Sequence, residues 1–405
     1  MALYDQPYPD GQLKGLKVVD MTRVLAGPFC TMLLADMGAE VIKVEEPDKG
    51  DDARGYPPFI RGTSAYFTNL NRNKQSIVLN LKKQEAREIL LNLLKKSDIL
   101  LENFKPGTMD KLGLGYEVVS AANPRIIYAS ISGFGQYGPY KDRPGYDIIG
   151  QAMGGLMSVS GWPDSPPTRT GTAMADIVAG LNACVGILAS LKGRERTGKG
   201  ERIDVSLVDS MVSAMETIIQ IYLVEGRVPR RVGNRYEFIA PYNSFAAADG
   251  WVVIGVGGQE VWKRFCKVIN REDLIDDPAF LTNKDRVENV IRLEVIVTDW
   301  TSQRNVNDIV SLLMAASVPC SPILNVEQIC KDPHIAKARE MIVEMDHPLD
   351  GKMKVVSCPI KFTNMKTTIR STAPLHGEHT EWILTRELGI SKEEYACLKE
   401  KGIAG

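Results

Sequence analysis

The sequence predicts an α/β protein, a doubly wound domain with a parallel sheet followed by a smaller unit. Short aliphatic segments recur through the first 135 residues, and helix-like stretches lie between several of them. A third sign is the change of texture at residue 225, where a basic, irregular run interrupts the pattern.

Segments 16–20 (LKVVD), 40–44 (EVIKV), 76–80 (SIVLN), 98–102 (DILLE) and 125–131 (RIIYASI) read as strands. Each is short and aliphatic without strict alternation, the pattern of parallel strands covered on both faces. Between them, 27–37 (GPFCTMLLADM, closed by Gly38) and 83–96 (KQEAREILLNLLKK) read as helices, which gives the β-α-β rhythm of a doubly wound sheet. Further on, 147–158 and 177–192 read as buried helices, and 204–224 as a short strand running into a long apolar helix. The run 225–238 (EGRVPRRVGNRYEF) reads as a linker or flap. A strand at 251–255 and helices near 259–269, 284–300 and 304–315 form the smaller unit. From about 320 the pattern returns to strands (320–324, 353–357) and ends in helices 378–388 and 391–401. The boundaries are therefore placed at 1–224, 225–325 and 326–405.

Lys and Arg number 49 against 50 Asp and Glu, a balance that lacks the basic field of a nucleic-acid or membrane-surface protein. No uninterrupted apolar run reaches the ~18 residues of a membrane span. The opening MALYDQPYPDGQ is without the charged-then-apolar order of a secretory signal. Seven scattered cysteines with no C-x-x-C pair indicate reduced thiols in a cytoplasm-like compartment and no zinc site. All four histidines lie at 334 or beyond. A site built from residues 1–333 must work with carboxylates, lysines, tyrosines or cysteines, and no metal site is expected there.

Gly133, Gly135 and Gly138 form a G-x-G-x-x-G match after a strand. A dinucleotide fingerprint needs a helix starting inside the motif, and Pro139, Pro144 and Gly145 forbid one, so a nicotinamide-dependent dehydrogenase is disfavoured. The segment 101–113 (LENFKPGTMDKLG) starts at the carboxyl end of a strand, where ligands bind in such folds. Asn103 can hydrogen-bond there, Phe104 can stack on a base, and Lys105 and Lys111 can meet phosphates; a solvated turn explains the same residues equally well. In 168–180 (TRTGTAMADIVAG) a polar loop delivers Asp176 to the start of a helix, among small apolar residues. One reading is a plain helix cap; the other is a carboxylate nucleophile sharpened by dry surroundings.

These segments together resemble class III CoA-transferases, the family of formyl-CoA:oxalate and carnitine CoA-transferases. The resemblance rests on RVLAGP (23–28), GAEVIKVE (38–45), NRNKQSI (71–77), ENFKPG (102–107), GLGYE (113–117), SGFGQYGP (132–139), GYD (145–147), Asp176 in its loop, TGKGERIDVSL (197–207), APY (240–242) and GEHT (377–380). It covers nearly the whole chain, in order, and looks closest to members that use succinyl-CoA with dicarboxylic acceptors. It implies a Rossmann-like large domain formed by both chain ends, a smaller inserted α+β domain and an interlocked homodimer. It implies Asp176 as covalent nucleophile and CoA contacts at Leu25, Ala26, Leu79, Lys82, Asn103, Phe104, Lys105, Lys111, Tyr146 and Asp147. Coenzyme A or acyl-CoA is then a co-substrate, with no tightly bound cofactor, and the partners are acyl-CoA, a carboxylic acid and a second copy of the chain.

The family's formyl-CoA members have glutamine at the position of Leu25, arginine at that of Glu46, and a tetraglycine flap where GNRYEF (233–238) lies, so formyl and oxalyl chemistry is disfavoured. Acyl-CoA racemases of the same family carry a histidine–aspartate pair where Tyr146 and Asp147 stand, and α-proton exchange needs that second acid–base group. A CoA-binding protein without activity remains the alternative from another class.

Overall fold

The structure is a computed structural model describing residues 11–349, 351–365, 367 and 369–405; the reading of the first ten residues lies outside it. The chain divides into two compact units. The first takes the residues through Leu156, then Arg169–Val224 and Pro333–Gly405; the second takes Met157–Thr168 and Glu225–Asp332. The boundary placed at 325/326 thus falls at 332/333, and 157–168 leaves the part of the chain to which the sequence assigned it.

The first unit is built on six parallel strands: β1 (Lys17–Asp20), β2 (Glu40–Glu45), β3 (Lys74–Val78), β4 (Ile99–Glu102), β5 (Ile127–Ser132) and β6 (Glu201–Ser206), in the order β3-β2-β1-β4-β5-β6. This is the doubly wound order, with its reversal between β1 and β4. Helix α1 (Ala26–Asp36) follows β1, and α2 (Gln84–Leu94) links β3 to β4. After β5 come α3 (Asp147–Met153) and the crossover helix α4 (Met174–Thr197), then α5 (Leu207–Ala214) and α6 (Glu216–Glu225) after β6. The G-x-G-x-x-G glycines precede no immediate helix; a Cβ on Gly133 would lie 2.8 Å from the Gly145 backbone, so they serve a close chain approach.

Two apolar layers cover the sheet. On one side α1 and α4 contribute Cys30, Leu34, Ala175, Ala179, Ala183 and Ile187; on the other, Leu90, Leu93, Leu94, Ile383 and Leu384 pack together. By length and composition α4 is apolar enough to cross a bilayer, which the sequence reading missed because Asp176 and Asn182 interrupt the run. Its sheet-facing residues belong to the core.

The second unit has antiparallel strands β7 (Tyr242–Ala247), β8 (Gly250–Gly255) and β9 (Cys320–Pro322) with β8 central. Helices α7 (Gln259–Val268), α8 (Val290–Thr301) and α9 (Val306–Ala315) bury Trp262, Phe265, Leu293, Val297, Ile309 and Leu313. The returning tail forms the hairpin β10 (Ile342–His347) and β11 (Gly351–Val356), then α10 (Thr380–Leu388) and α11 (Lys392–Glu400). It seals the edge strand β3: Ser76 N–H donates to His379 Nδ1 (3.3 Å) and Val78 N–H to Thr380 Oγ1 (3.1 Å).

Candidate active site

In folds of this kind ligands bind in the crevice at the strand-order reversal, which here falls between the turns after β1 and β4. These turns are joined by one side chain. Asn103 Oδ1 accepts from Arg23 N–H (2.9 Å) and its Nδ2 donates to Arg23 C=O (2.8 Å), while the Arg23 guanidinium stands 5.6 Å from the Phe104 ring centre. Both functions of the Asn103 amide thus tie the turn after β4 to the turn that leads into Leu25 and Ala26. Val24 has φ +68°, a left-handed conformation that is costly for a β-branched residue. Asp51 secures it by accepting Val24 N–H (3.0 Å).

A buried ionic cluster supports this turn. Lys43 Nζ lies 2.8 Å from Asp51 and donates to Thr22 C=O (2.7 Å). Lys74 Nζ donates to Asp20 (3.0 Å), Pro28 C=O (3.1 Å) and Asn71 (2.8 Å). Burial opposes the Asp20 charge, but Lys74 and Lys43 with Thr22 and Thr31 outweigh it and hold the carboxyl well below its usual range. Burial, only partly offset by Asp20, brings Lys74 down to about 8. Beside them Arg54 forks onto both Glu45 oxygens at 2.7 Å.

Asp176 lies in the first turn of α4, three residues past the cap position Ala173, so it is not the cap. Alanine cannot cap a helix. Asp147 does so from α3, accepting Ala175 N–H at 2.9 Å. Neither Asp176 oxygen accepts a hydrogen bond from a described residue. Burial, then the Asp147 charge, pushes its carboxyl up to about 7. One turn further, a Cβ on Gly180 would lie 2.6 Å from the Ala26 carbonyl oxygen, so α4 meets the start of α1 backbone to backbone. Four residues of helix rise about 6 Å. That places Asp176 about one turn from the Leu25–Ala26 end of the crevice.

Of the other residues implied, Lys105, Lys111, Lys82 and Tyr146 are exposed. Leu79 is not brought to a surface: it is buried in the second core cluster, its N–H donates to Glu45 C=O (3.1 Å), and it bridges to Ala404. Two residues the sequence reading missed are Tyr66 and Gln151. Burial and then the Asp176 charge raise the Tyr66 phenol, so this ring shares the carboxylate's surroundings. Gln151, fully buried, hydrogen-bonds Asp147. Its position four residues after Asp147 was a usable signal, because i and i+4 share a helix face.

The sequence profile of CoA-transferase family III matches residues 13–380. The chain belongs to CoA-transferase family III. It is 43% identical to acetyl-CoA:oxalate CoA-transferase of Acetobacter aceti, over 88% of this chain and 90% of that protein. It is 39% identical to succinyl-CoA:glutarate CoA-transferase of Mus musculus, over 93% and 86%. The crystal structure of a CAIB/BAIF family protein from Brucella suis superposes with a TM-score of 0.83 at 38% identity, covering 94% of this chain and all of that one. As a family III member the chain is a CoA-transferase, with acyl-CoA as co-substrate and an acid as the other partner.

Proposed function

We propose that this CoA-transferase works through covalent intermediates on Asp176 and delivers CoA to a dicarboxylic acid. An Asp176 oxygen attacks the thioester carbonyl of the donor, the C–S bond breaks, and an aspartyl anhydride and CoA thiolate result. The thiolate adds to the aspartyl carbonyl carbon, which releases the donor carboxylate and leaves an aspartyl-CoA thioester. The acceptor carboxylate displaces CoA from that thioester, and the thiolate then attacks the acceptor's acyl carbon, freeing Asp176. Protons balance throughout, since each step exchanges one anion for another.

The observation that carries this reading is a carboxylate with no hydrogen bond from the described residues, pushed up to about 7 by burial and by Asp147, one helix turn from the crevice. A carboxylate so poorly solvated is a stronger nucleophile than one in water. The positive end of the α4 dipole suits a developing oxyanion near Asp176. In the same reading, Leu25, Ala26 and Phe104 line the CoA crevice, and Lys105 and Lys111 meet its phosphates. The relatives' acceptors, oxalate and glutarate, are both dicarboxylates, which supports that class here.

The reading includes a homodimer in a reducing, cytoplasm-like compartment. Its support is a set of apolar side chains left exposed: Ile148 and Met153 on α3, Leu181 and Val185 on α4, Tyr222, Leu223 and Val224 on α6. Sedimentation across a wide concentration range tests it; a folded monomer would contradict the dimer.

For the chemistry, Asp176→Ala should abolish transfer from succinyl-CoA to a panel including oxalate and glutarate, while CoA still binds. Hydroxylamine added to wild type with acyl-CoA should modify Asp176, as mass spectrometry of its peptide reads directly. Near-normal turnover of the alanine variant overturns the assignment.

A further inference from the structure

The Asp176 helix begins without a cap of its own, and the polar groups that replace it converge on one buried amide. Gln151 is fully buried in α3, and each of its hydrogen-bonding functions is occupied. Its Nε2 donates to Asp147 Oδ2 (2.8 Å) and to Thr172 C=O (3.3 Å). Its Oε1 accepts from Thr170 N–H (3.0 Å) and Thr170 Oγ1 (3.2 Å). The loop that delivers Asp176 is therefore tied by one side chain to the carboxylate that caps the Asp176 helix. Gly150 makes the approach possible, since a Cβ there would come within 2.8 Å of the Ala175 side chain and 2.9 Å of the Leu207 side chain.

We propose that Gln151 is a positioning residue for Asp176, holding the start of its helix through Asp147 and the 170–172 turn. The proposal rests on the reading of Asp176 as nucleophile. Gln151 touches no reacting atom; it acts through Asp147 and the 170–172 turn. The titratable groups felt at Asp176 are Asp147 on α3 and Tyr66 on the short helix Ala65–Asn71. Of these, only Asp147 is hydrogen-bonded by Gln151.

Two substitutions of similar volume test the site in different ways. Gln151→Met removes the donor to Asp147 Oδ2 and the acceptor for Thr170 without adding charge. The acid limb of the kcat–pH profile should stay in place while kcat falls. Gln151→Glu places a second acid against Asp147 and adds negative charge, so the acid limb should move to higher pH. In both, loosening of the turn should lower kcat by about ten- to a hundredfold, the cost of small misplacement of a reacting group. The acyl-CoA KM should change much less. A purely structural role would lower the melting temperature and leave the pH profile of the folded enzyme where it is. If Gln151→Glu does not fold, the loss of kcat at little-changed KM in Gln151→Met decides; if Gln151→Met does not fold, the limb shift in Gln151→Glu decides.

Asp176→Ala is measured alongside, with hydroxylamine labelling of wild type. If Asp176→Ala is inactive and Asp176 is labelled, yet both Gln151 variants keep the wild-type limb and kcat, the Gln151 proposal falls alone. If Asp176→Ala turns over normally, the nucleophile reading falls and the proposal with it. A lower kcat in both variants with little change in KM, together with a limb moved to higher pH in Gln151→Glu, supports it in an enzyme that depends on Asp176.

Discussion

Replacing Asp176 by asparagine should make the protein more stable, and only at the pH where the enzyme works. The carboxyl is pushed from 3.8 to about 7 by burial and by Asp147. At about 1.4 kcal/mol per pH unit, its ionisation then opposes folding by about 4 kcal/mol above neutrality. Asp176 is partly open to solvent, which reduces this to about 2–3 kcal/mol. The folded carboxyl binds its proton more tightly than the unfolded one, so wild-type stability falls as pH rises from 3.8 to about 7 and is level above that. Asparagine has no charge to lose across this range. The variant's advantage should be largest at pH 8 and smaller by about 2 kcal/mol at pH 5, since ionisation is then mostly suppressed. Equilibrium urea unfolding of both proteins, at one protein concentration, reads the difference. An advantage that does not depend on pH, or that grows toward pH 5, would refute the account of Asp176 as a carboxylate held against its preference.

With Asp176 as the nucleophile proposed above, kcat/KM for acyl-CoA should drop about tenfold per pH unit below about 7, as a steady-state pH profile will show. Asp51→Ala takes from buried Lys43 the carboxylate in contact with it and from Val24 N–H its acceptor, so urea unfolding should show a loss of about 3–5 kcal/mol. With Lys105 and Lys111 on the CoA phosphates as proposed, Lys105→Ala and Lys111→Ala should raise the acyl-CoA KM with little change in kcat, because such contacts are equally present in ground and transition states. Equal affinity of wild type for CoA and dephospho-CoA would count against the lysines.

All six strands of the main sheet were legible, five as aliphatic runs covered on both faces and the sixth as a short strand read from 204 that starts at Glu201. The edge strand was read as 76–80 and is Lys74–Val78. Its first residue is a buried lysine paired with Asp20, and an apolar pattern does not register a charge that is buried with its partner. The Asp176 helix was read as starting at the aspartate and starts at Met174, because its cap comes from Asp147, 28 residues earlier. The long helix read through 224 breaks between Ala214 and Glu216, where no glycine or proline announces the 74° bend. Strand Tyr242–Ala247 was missed: YNSFAA carries neither an aliphatic run nor a clean alternation. The candidate site shows the same division. Asp176 and the residues around 103–105 could be read locally. Tyr66 and Asp51 could not, because what makes them relevant is contact with distant segments, whereas Gln151 was signalled by its place four residues after Asp147.

The sealing of β3 by the returning tail has a consequence for how the chain is made. Ser76 leaves the ribosome about 300 residues ahead of His379, its hydrogen-bond partner, and Asn80 precedes Ile403 by more still. At about 5–20 residues per second, the edge of the nascent sheet waits about 15–60 s for its cover. During that interval it presents unpaired N–H and C=O groups, the template that strands of other chains extend. Heterologous expression should therefore respond strongly to slower growth and to chaperones that shield nascent edges. C-terminal truncations before residue 376 should aggregate even though every sheet strand is already encoded.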